Sequence, residues 1–263
     1  MAGMITLSVG LLRAVLDTMQ VYATITLHPE GLQCYQFDGI CCTELKISAE
    51  ALAPYQAFPE SLVIPVELIR GALKGCKPDD LCCLDLAVNK GTMRVFKAGK
   101  ATGGRTLDFA MIVPREYDNE LTKTCSLPPL PYDQYVYVTV HSDQVMSALD
   151  GARSTKSKYE NHVILTISPE GLKVVHKNDT FTYTDTVEGT GASRIISSVY
   201  NVDYVGRIES LCKMDNVILQ IGLLSSNAEH LSHAEIQLCP LVCKGTASQI
   251  TFTHIVSPII LNA

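Results

Sequence analysis

Cysteine and histidine are the side chains best able to ligate a metal or attack a substrate, and this chain holds ten of the first and seven of the second. Their spacing argues against both roles. Cys41-Cys42 and Cys82-Cys83 are adjacent pairs, and neighbours in a strand point to opposite faces, so neither pair closes around one ion. No Cys-x-x-Cys occurs, and Cys239-x-x-x-Cys243 has no second half. The cysteines read as reduced thiols packed as small hydrophobes in a reducing compartment, and the sequon Asn178-Asp179-Thr180 then reads as unmodified. His28, His141, His162, His176, His230, His233 and His254 show no ligand spacing, and His230-x-x-His233 reads as loop surface. Neither Gly-x-Ser-x-Gly nor the phosphate loop Gly-x-x-x-x-Gly-Lys is present. Gly103-Gly104 leads into a strand-like run and so marks a turn. The reading is of a chain that is not an enzyme, with no catalytic residue, no metal and no cofactor.

What the chain does carry is a repeat. Ala23-Thr24-Ile25-Thr26-Leu27-His28-Pro29-Glu30-Gly31-Leu32 returns as Val163-Ile164-Leu165-Thr166-Ile167-Ser168-Pro169-Glu170-Gly171-Leu172, displaced by 140 residues. Val66-Glu67-Leu68-Ile69 through Cys76-Lys77-Pro78-Asp79 returns 136 residues on, as Val202-Asp203-Tyr204-Val205 through Cys212-Lys213-Met214-Asp215. Leu12-Arg13-Ala14-Val15-Leu16-Asp17 matches Val145-Met146-Ser147-Ala148-Leu149-Asp150 at 133. Three matches in one order at nearly one offset mean two copies of one domain. In each copy the Gly of Pro-Glu-Gly supplies the positive φ of a turn.

Strand signals dominate both copies: 22–27, 32–37, 41–47, 81–88, 92–96 and 107–113, then 135–140, 163–167, 172–175, 180–187, 217–223 and 249–255. Four segments instead repeat at i, i+3, i+4, i+7. Their stripes are Leu12, Val15, Leu16 and Met19; Val66, Ile69, Ala72, Leu73 and Cys76; Val145, Ala148, Leu149 and Ala152; and Tyr204, Val205, Ile208, Leu211 and Cys212. Two short helices per half among many strands predict an α+β architecture, helices covering one face of an antiparallel sheet. Residues 114–133, with Ser126-Leu127-Pro128-Pro129-Leu130-Pro131 at their core, are too rich in proline for a central strand and read as a connector. The predicted domains are 1–113 and 134–263. Each is long enough to bury its own core. No apolar run approaches the roughly 18 residues of a membrane span, and no basic signal-peptide start is seen. The net charge of −6 counts against nucleic acid only if the cations are scattered.

These elements together resemble the sliding-clamp family of its eukaryotic kind, proliferating cell nuclear antigen (PCNA). The resemblance spans nearly the whole chain. It rests on the helices at Leu12–Asp17 and Val66–Asp80, on Phe37-Asp38 followed by Cys41-Cys42, on Cys239-Pro240-Leu241-Val242 and on Ile255-Val256-Ser257-Pro258. It implies a two-domain, ring-forming clamp with helices lining the inside and antiparallel sheets outside. The implied work is that of a DNA polymerase processivity factor in DNA replication and DNA repair, located in the nucleus or at the replication site of an infected cell. Double-stranded DNA, held without regard to sequence, would be encircled by a homotrimer. A polymerase, a clamp loader and other proteins would dock through a motif of the form Gln-x-x-aliphatic-x-x-aromatic-aromatic. No membrane is implied. A heterotrimeric checkpoint-type clamp subunit and a non-ring processivity factor are the rival readings.

Carried onto this chain, the resemblance assigns phosphate contact to Arg13, to Arg70, Lys74 and Lys77 at i, i+4, i+7, to Arg153, Lys156 and Lys158 after the third helix, and to Arg207 and Lys213. Long cations without fixed geometry suit sliding contact. It assigns the partner pocket to Phe37, Cys41, Leu127, Leu130, Pro240, Ile255, Val256 and Pro258, an exposed apolar slot for a short helix. The edge strands for ring closure are Leu107–Val113 and Thr180–Val187. Three departures stand out. No acidic tail follows Pro258, Lys156–Asn161 looks inserted, and Pro169 replaces a commonly modified lysine. With the cysteine richness and the thin basic face, these point to a divergent or viral member.

Overall fold

Alternation and helical stripes resolve into two compact units in the computed structural model, which describes residues 2–87, 90–98, 104–110, 127, 132–155, 160–214, 217–224, 240–247 and 249–259. The first unit comprises Met1–Asp38, Cys42–Pro128 and Ser248–Phe252; the second comprises Gly39–Cys41, Pro129–Ala247 and Thr253–Ala263. Two short segments, 39–41 and 248–252, thus belong to the unit of the other half. Apart from Leu127 and residues 132–133, the connector 114–133 lies outside the described residues.

In the first unit, β1 (Ala2–Ser8), α1 (Val9–Thr18), β2 (Tyr22–His28), β3 (Gly31–Phe37), β4 (Cys41–Ser48), β5 (Tyr55–Gln56), β6 (Phe58–Pro65), α2 (Val66–Ala72), β7 (Leu81–Ala87), β8 (Lys90–Phe96) and β9 (Arg105–Ala110) follow in order. They pair antiparallel in two sets, β5-β1-β7-β8-β9 and β4-β3-β2-β6. The second unit runs β10 (Tyr135–His141), α3 (Ser142–Ser154), β11 (His162–Ser168), β12 (Gly171–Lys177), β13 (Thr182–Thr190), β14 (Ile196–Asn201), α4 (Val202–Val205), α5 (Glu209–Cys212), β15 (Ile218–Leu224), β16 (Leu241–Thr246) and β17 (Ile250–Val256). Its order β14-β11-β12-β13 reproduces β6-β2-β3-β4, and β10-β15-β16-β17 reproduces β1-β7-β8-β9. The duplication read in the residues is a duplication of topology.

The helix stripes face inward. Leu12, Val15, Leu16 and Met19 are buried, as are Val145, Ala148, Leu149 and Ala152. Caps set two starts: Ser8 Oγ accepts the Leu11 N–H at 3.1 Å and Asn201 Oδ1 accepts the Asp203 N–H at 2.9 Å, satisfying orphan donors. Two predicted helices differ from expectation. The second stops at Ala72 rather than Lys77, because Gly75 takes φ +77° and Pro78 follows. The fourth breaks into α4, a 3-10 turn over Gly206–Ile208, and α5. Five strands, β1, β5, β6, β14 and β16, were not among the strand signals read from the sequence. Among them β14 holds Ser197 and Ser198, polar residues that are nevertheless buried; Thr166 Oγ1 and Ser197 Oγ lie 2.7 Å apart.

Gly31 and Gly171 begin β3 and β12 at φ +140° and +139°. Each sits where a third strand comes close. A Cβ on Gly31 would lie 2.0 Å from the Ile47 carbonyl oxygen, and one on Gly171 would lie 2.0 Å from that of Val187. Strained φ and backbone collision add. Gly171→Ala should therefore destabilise the protein by about 2 kcal/mol or more, read as a lower urea midpoint; an unchanged midpoint would contradict the packing described.

Candidate nucleic-acid interface

A helix leaves its last carbonyls without intrahelical donors, and a cation there is favoured by the helix dipole. In the first unit two arginines meet that need reciprocally. Arg13, on α1, donates through Nη2 to the carbonyls of Leu73 (2.5 Å) and Cys76 (2.9 Å) just past α2. Arg70, on α2, donates through Nη2 to Leu16 (2.5 Å) and Met19 (3.0 Å) at the end of α1. Asp17 adds an ion pair, its Oδ1 3.6 Å from Arg70 Nε. Each helix holds the other's C-terminal end.

The second unit uses charge pairs instead. Arg153 Nη1 lies 2.9 Å from Asp150 Oδ1 and 2.6 Å from Glu209 Oε2, joining α3 to α5. Lys213 bonds the other oxygen of Glu209. Those contacts, the Lys213 hydrogen bond first, hold the Glu209 carboxyl below the usual carboxylate range. Gly206 makes room: a Cβ there would fall 1.2 Å from Arg153 Nη2. The predicted fourth helix breaks at this same residue. Arg207 stacks on Tyr204, its guanidinium carbon 4.1 Å from the ring centroid, with Nη1 2.7 Å from Cys41 Sγ.

Of the cations given phosphate contact in the sequence, five make contacts within their own unit. Arg13 and Arg70 bond helix-end carbonyls, Arg153 and the exposed Lys213 bond carboxylates, and Arg207 lies over Tyr204. Lys74 and Lys77 are exposed. Lys156 and Lys158 lie outside the described residues. The structure adds two cations that the sequence reading missed, Lys97 and Arg105, both exposed. Arg105 Nη1 donates to the Lys74 carbonyl at 2.7 Å, across a separation in sequence that no periodicity reveals.

The apolar set divides by burial. Phe37, ending β3, is 53% exposed, and Leu127, Pro240 and Pro258 are half-buried. Cys41, Ile255 and Val256 are buried, which corrects their assignment to an exposed wall. Consecutive strand residues face opposite sides, so burial of both Ile255 and Val256 means that both faces of β17 are covered there. In the second unit the Ser257 N–H bonds the Ile40 carbonyl at 2.9 Å, setting the chain before Cys41 beside the chain before Pro258. Leu130 lies outside the described residues. Val21, Tyr22 and Leu68 of the first unit are about half exposed and were not singled out in the sequence.

Among the described residues no three His, Cys, Asp or Glu side chains converge as a metal site. The described cysteines are free thiols, all buried except Cys76. Burial pushes Cys34, Cys82 and Cys212 up to about 12 and Cys42 up to about 11, which leaves them protonated and poor nucleophiles. His230 and His233 lie outside the described residues. An open cavity of about 540 Å³ in the second unit is lined by His141, Asp143, Met146, Asp150, Lys213 and Met214, among others. No described helix is long and apolar enough to cross a membrane.

Neither a family model nor a curated protein matches the sequence. Solved structures do match the fold. PCNA of A. fulgidus, solved bound to the C-terminal region of FEN-1, superposes with a TM-score of 0.75 at 17% identity, over 99% of this chain and 100% of that one. PCNA of Thermococcus kodakaraensis gives 0.73 at 13% identity, over 98% and 100%. The PCNA2–PCNA3 complex of Sulfolobus tokodaii gives 0.72 at 14%, over 97% and 98%. The chain has the α+β sliding-clamp fold along nearly its entire length.

The α3–α5 charge pairs carry a pH signature. A carboxyl whose folded pKa is depressed adds stability above its unfolded value, about 4.3 for Glu, and that stability is lost as pH falls through the folded value. Glu209→Gln should melt below the parent protein at pH 7, and the gap should close as pH falls below about 4.3, the unfolded value. A gap that persists in acid would show that Glu209 acts through packing and not through charge.

Proposed function

We propose that the chain is a DNA sliding clamp that closes into a homotrimeric ring, encircles duplex DNA and docks replication and repair proteins, wherever cellular or viral DNA is copied. The observation that carries the reading is a pair of open strand edges. In the first unit β4 is flanked by β3 on one side and by Ile250–Phe252, the opening of β17, on the other. Its topological counterpart β13 pairs fully with β12 but meets β10 only at Gly189 and Thr190. Thr182–Glu188 therefore present unpaired backbone among the described residues. The counterpart of β17, β9, is the last strand of its set. Open edges of this length demand partners. What β17 supplies to β4, β9 of a second copy would supply to β13, and repeating that head-to-tail contact closes a ring if the rotation suits.

Backbone N–H groups alternate direction along an edge strand, so of Tyr183→Pro and Thr184→Pro one removes only an outward donor. Light scattering should give the parent protein about three times its 28.7 kDa chain mass, and that one variant should give a single chain. A parent monomer would favour the checkpoint-type or non-ring reading; two trimeric variants would place the interface elsewhere.

Docking of partners is supported by Phe37, a large apolar side chain held exposed on a rigid strand, and by the FEN-1 segment bound to the A. fulgidus relative. Phe37→Ala should leave the melting temperature nearly unchanged, since the ring buries little. It should weaken a Gln-x-x-aliphatic-x-x-aromatic-aromatic peptide by about 1–3 kcal/mol, the loss of one anchor contact, with Leu127→Ala as the companion variant. Full affinity in both by calorimetry would remove these residues from the docking surface.

A further inference from the structure

We propose that His162 and His176 form an acid-sensitive latch at the end of the β12–β13 hairpin, which holds the open edge of β13 in place at neutral pH and loosens it when the pair takes a proton. The latch belongs to the second unit by itself; its effect on assembly rests on the clamp reading.

His176, on β12, is fully buried. Its Nδ1 lies 2.7 Å from the carbonyl oxygen of His162. A carbonyl only accepts, so Nδ1 carries the proton, and neutral His176 keeps its lone pair on Nε2. That atom is buried and, among the described residues, has no hydrogen-bond partner. The rings of His162 and Phe181 flank the buried imidazole, at 5.8 and 6.3 Å between centroids. A proton on Nε2 would therefore make a buried cation beside a phenyl ring and a second imidazole, which is costly. A proton on His162 fares little better. Burial first, and His176 second, hold its pKa below the ordinary imidazole range, against the pull of Glu160. Two imidazoles this close titrate as a pair.

The other charged and titratable groups around the pair come from each packed element. Lys177 and Asp179 follow His176 along the chain, and Asp203 heads α4 just after Asn201, the ladder partner of His162. From β13, Tyr183 stands opposite His176, its hydroxyl donating to Asp185 at 3.2 Å. From α3, Arg153 is bound by Asp150 and Glu209. Lys156, Lys158 and Tyr159 lie outside the described residues.

The pair sits where the hairpin end meets the open edge. Asn178 Oδ1 accepts the N–H groups of Thr180 and Phe181 at 2.9 and 3.0 Å, and its side-chain amide donates to the Thr155 carbonyl beyond α3 at 3.4 Å. Strand β13 begins one residue after Phe181, and its unpaired stretch starts there. At the repeat offset of 140, His162 and His176 correspond to Tyr22 and Gln36. Gln36 is half-buried, and its Oε1 accepts the Gln20 N–H at 2.6 Å. The first copy, whose β4 is flanked on both sides, thus has a partnered amide at this position. The histidines stand in the copy whose edge is open among the described residues.

A histidine whose charged form is disfavoured by folding adds stability above its unfolded value, about 6.5. That stability is lost as pH drops from there toward the folded value. The window lies above the one in which Glu209 titrates. The test follows amide exchange of Val175–Tyr183 from pH 7 to pH 5, corrected for the intrinsic pH dependence of exchange, beside the mass by light scattering. Protection in the parent should fall by up to about tenfold per pH unit below about 6.5, and the assembled mass should fall toward that of a single chain. Replacing both histidines by the residues of the first copy, His162→Tyr with His176→Gln, should hold protection and mass level over the range. His176→Phe keeps a ring in the space and serves should the double variant not fold; it should reduce the fall. Parent protection that stays level from pH 7 to pH 5 overturns the latch, as does an unaltered fall in a variant that folds. A fall in protection at constant assembled mass overturns its coupling to the edge. A parent that is a single chain at pH 7, with the fall intact, removes the clamp reading and leaves the latch.

Discussion

Backbone hydrogen bonding at strand edges is the constraint on which this structure depends. A buried or long exposed strand must have its N–H and C=O groups satisfied, and the duplicated domain creates the same two edges twice. One pair is answered inside the chain, where Ile250–Phe252 lie along β4. Among the described residues the other pair, β9 and the first seven residues of β13, is not. Side-chain exposure agrees. Along β4 nearly every residue is buried or half-buried, whereas β9 and β13 are mostly exposed. A sheet strand of nine residues with one open side and no lysine or proline to blunt it is poised for a partner strand.

The same economy governs the charges. Positive side chains on helices have two competing uses, to satisfy the helix ends and carboxylates of their own domain or to meet an external anion. Near a desolvated helix terminus the internal use wins, because an orphan carbonyl and the dipole act on the guanidinium at hydrogen-bond distance. Arg13 and Arg70 are fixed this way in one unit and Arg153 by carboxylates in the other. A count of helix-borne cations therefore overstates what remains for a ligand. Where the chain turns away from the helix, Lys74 and Lys77 stay exposed, as does Lys97 after β8.

Much of the fold was legible because its signals are local. The stripe Leu12, Val15, Leu16, Met19 and the repeated Pro-Glu-Gly are properties of short windows, and both settle into buried helix faces and matched hairpins. Failures arose where the cause is distant. The fourth helix breaks at Gly206, where a guanidinium from α3, more than fifty residues earlier, occupies the place of a side chain. Strand β14 was invisible because Ser197 and Ser198 are buried in a sheet that supplies Thr166 as a partner. The candidate site fared worst. Residue type and spacing can mark a cation, but the partner of Arg13 lies sixty residues away, and burial of Ile255 and Val256 follows from what covers both faces of β17.

The central claim is that β9 and β13 are paired between copies, and amide hydrogen exchange reads it directly. Exchange should be followed for Arg105–Ala110 and Thr182–Glu188 in concentrated and in highly diluted protein. The account predicts that alternate amides of both strands, those without a donor–acceptor partner in their own chain, are protected in the concentrated sample and lose protection together on dilution, while amides of β11 and β12 stay slow in both. Outward amides of β9 and β13 that exchange freely at every concentration would contradict it.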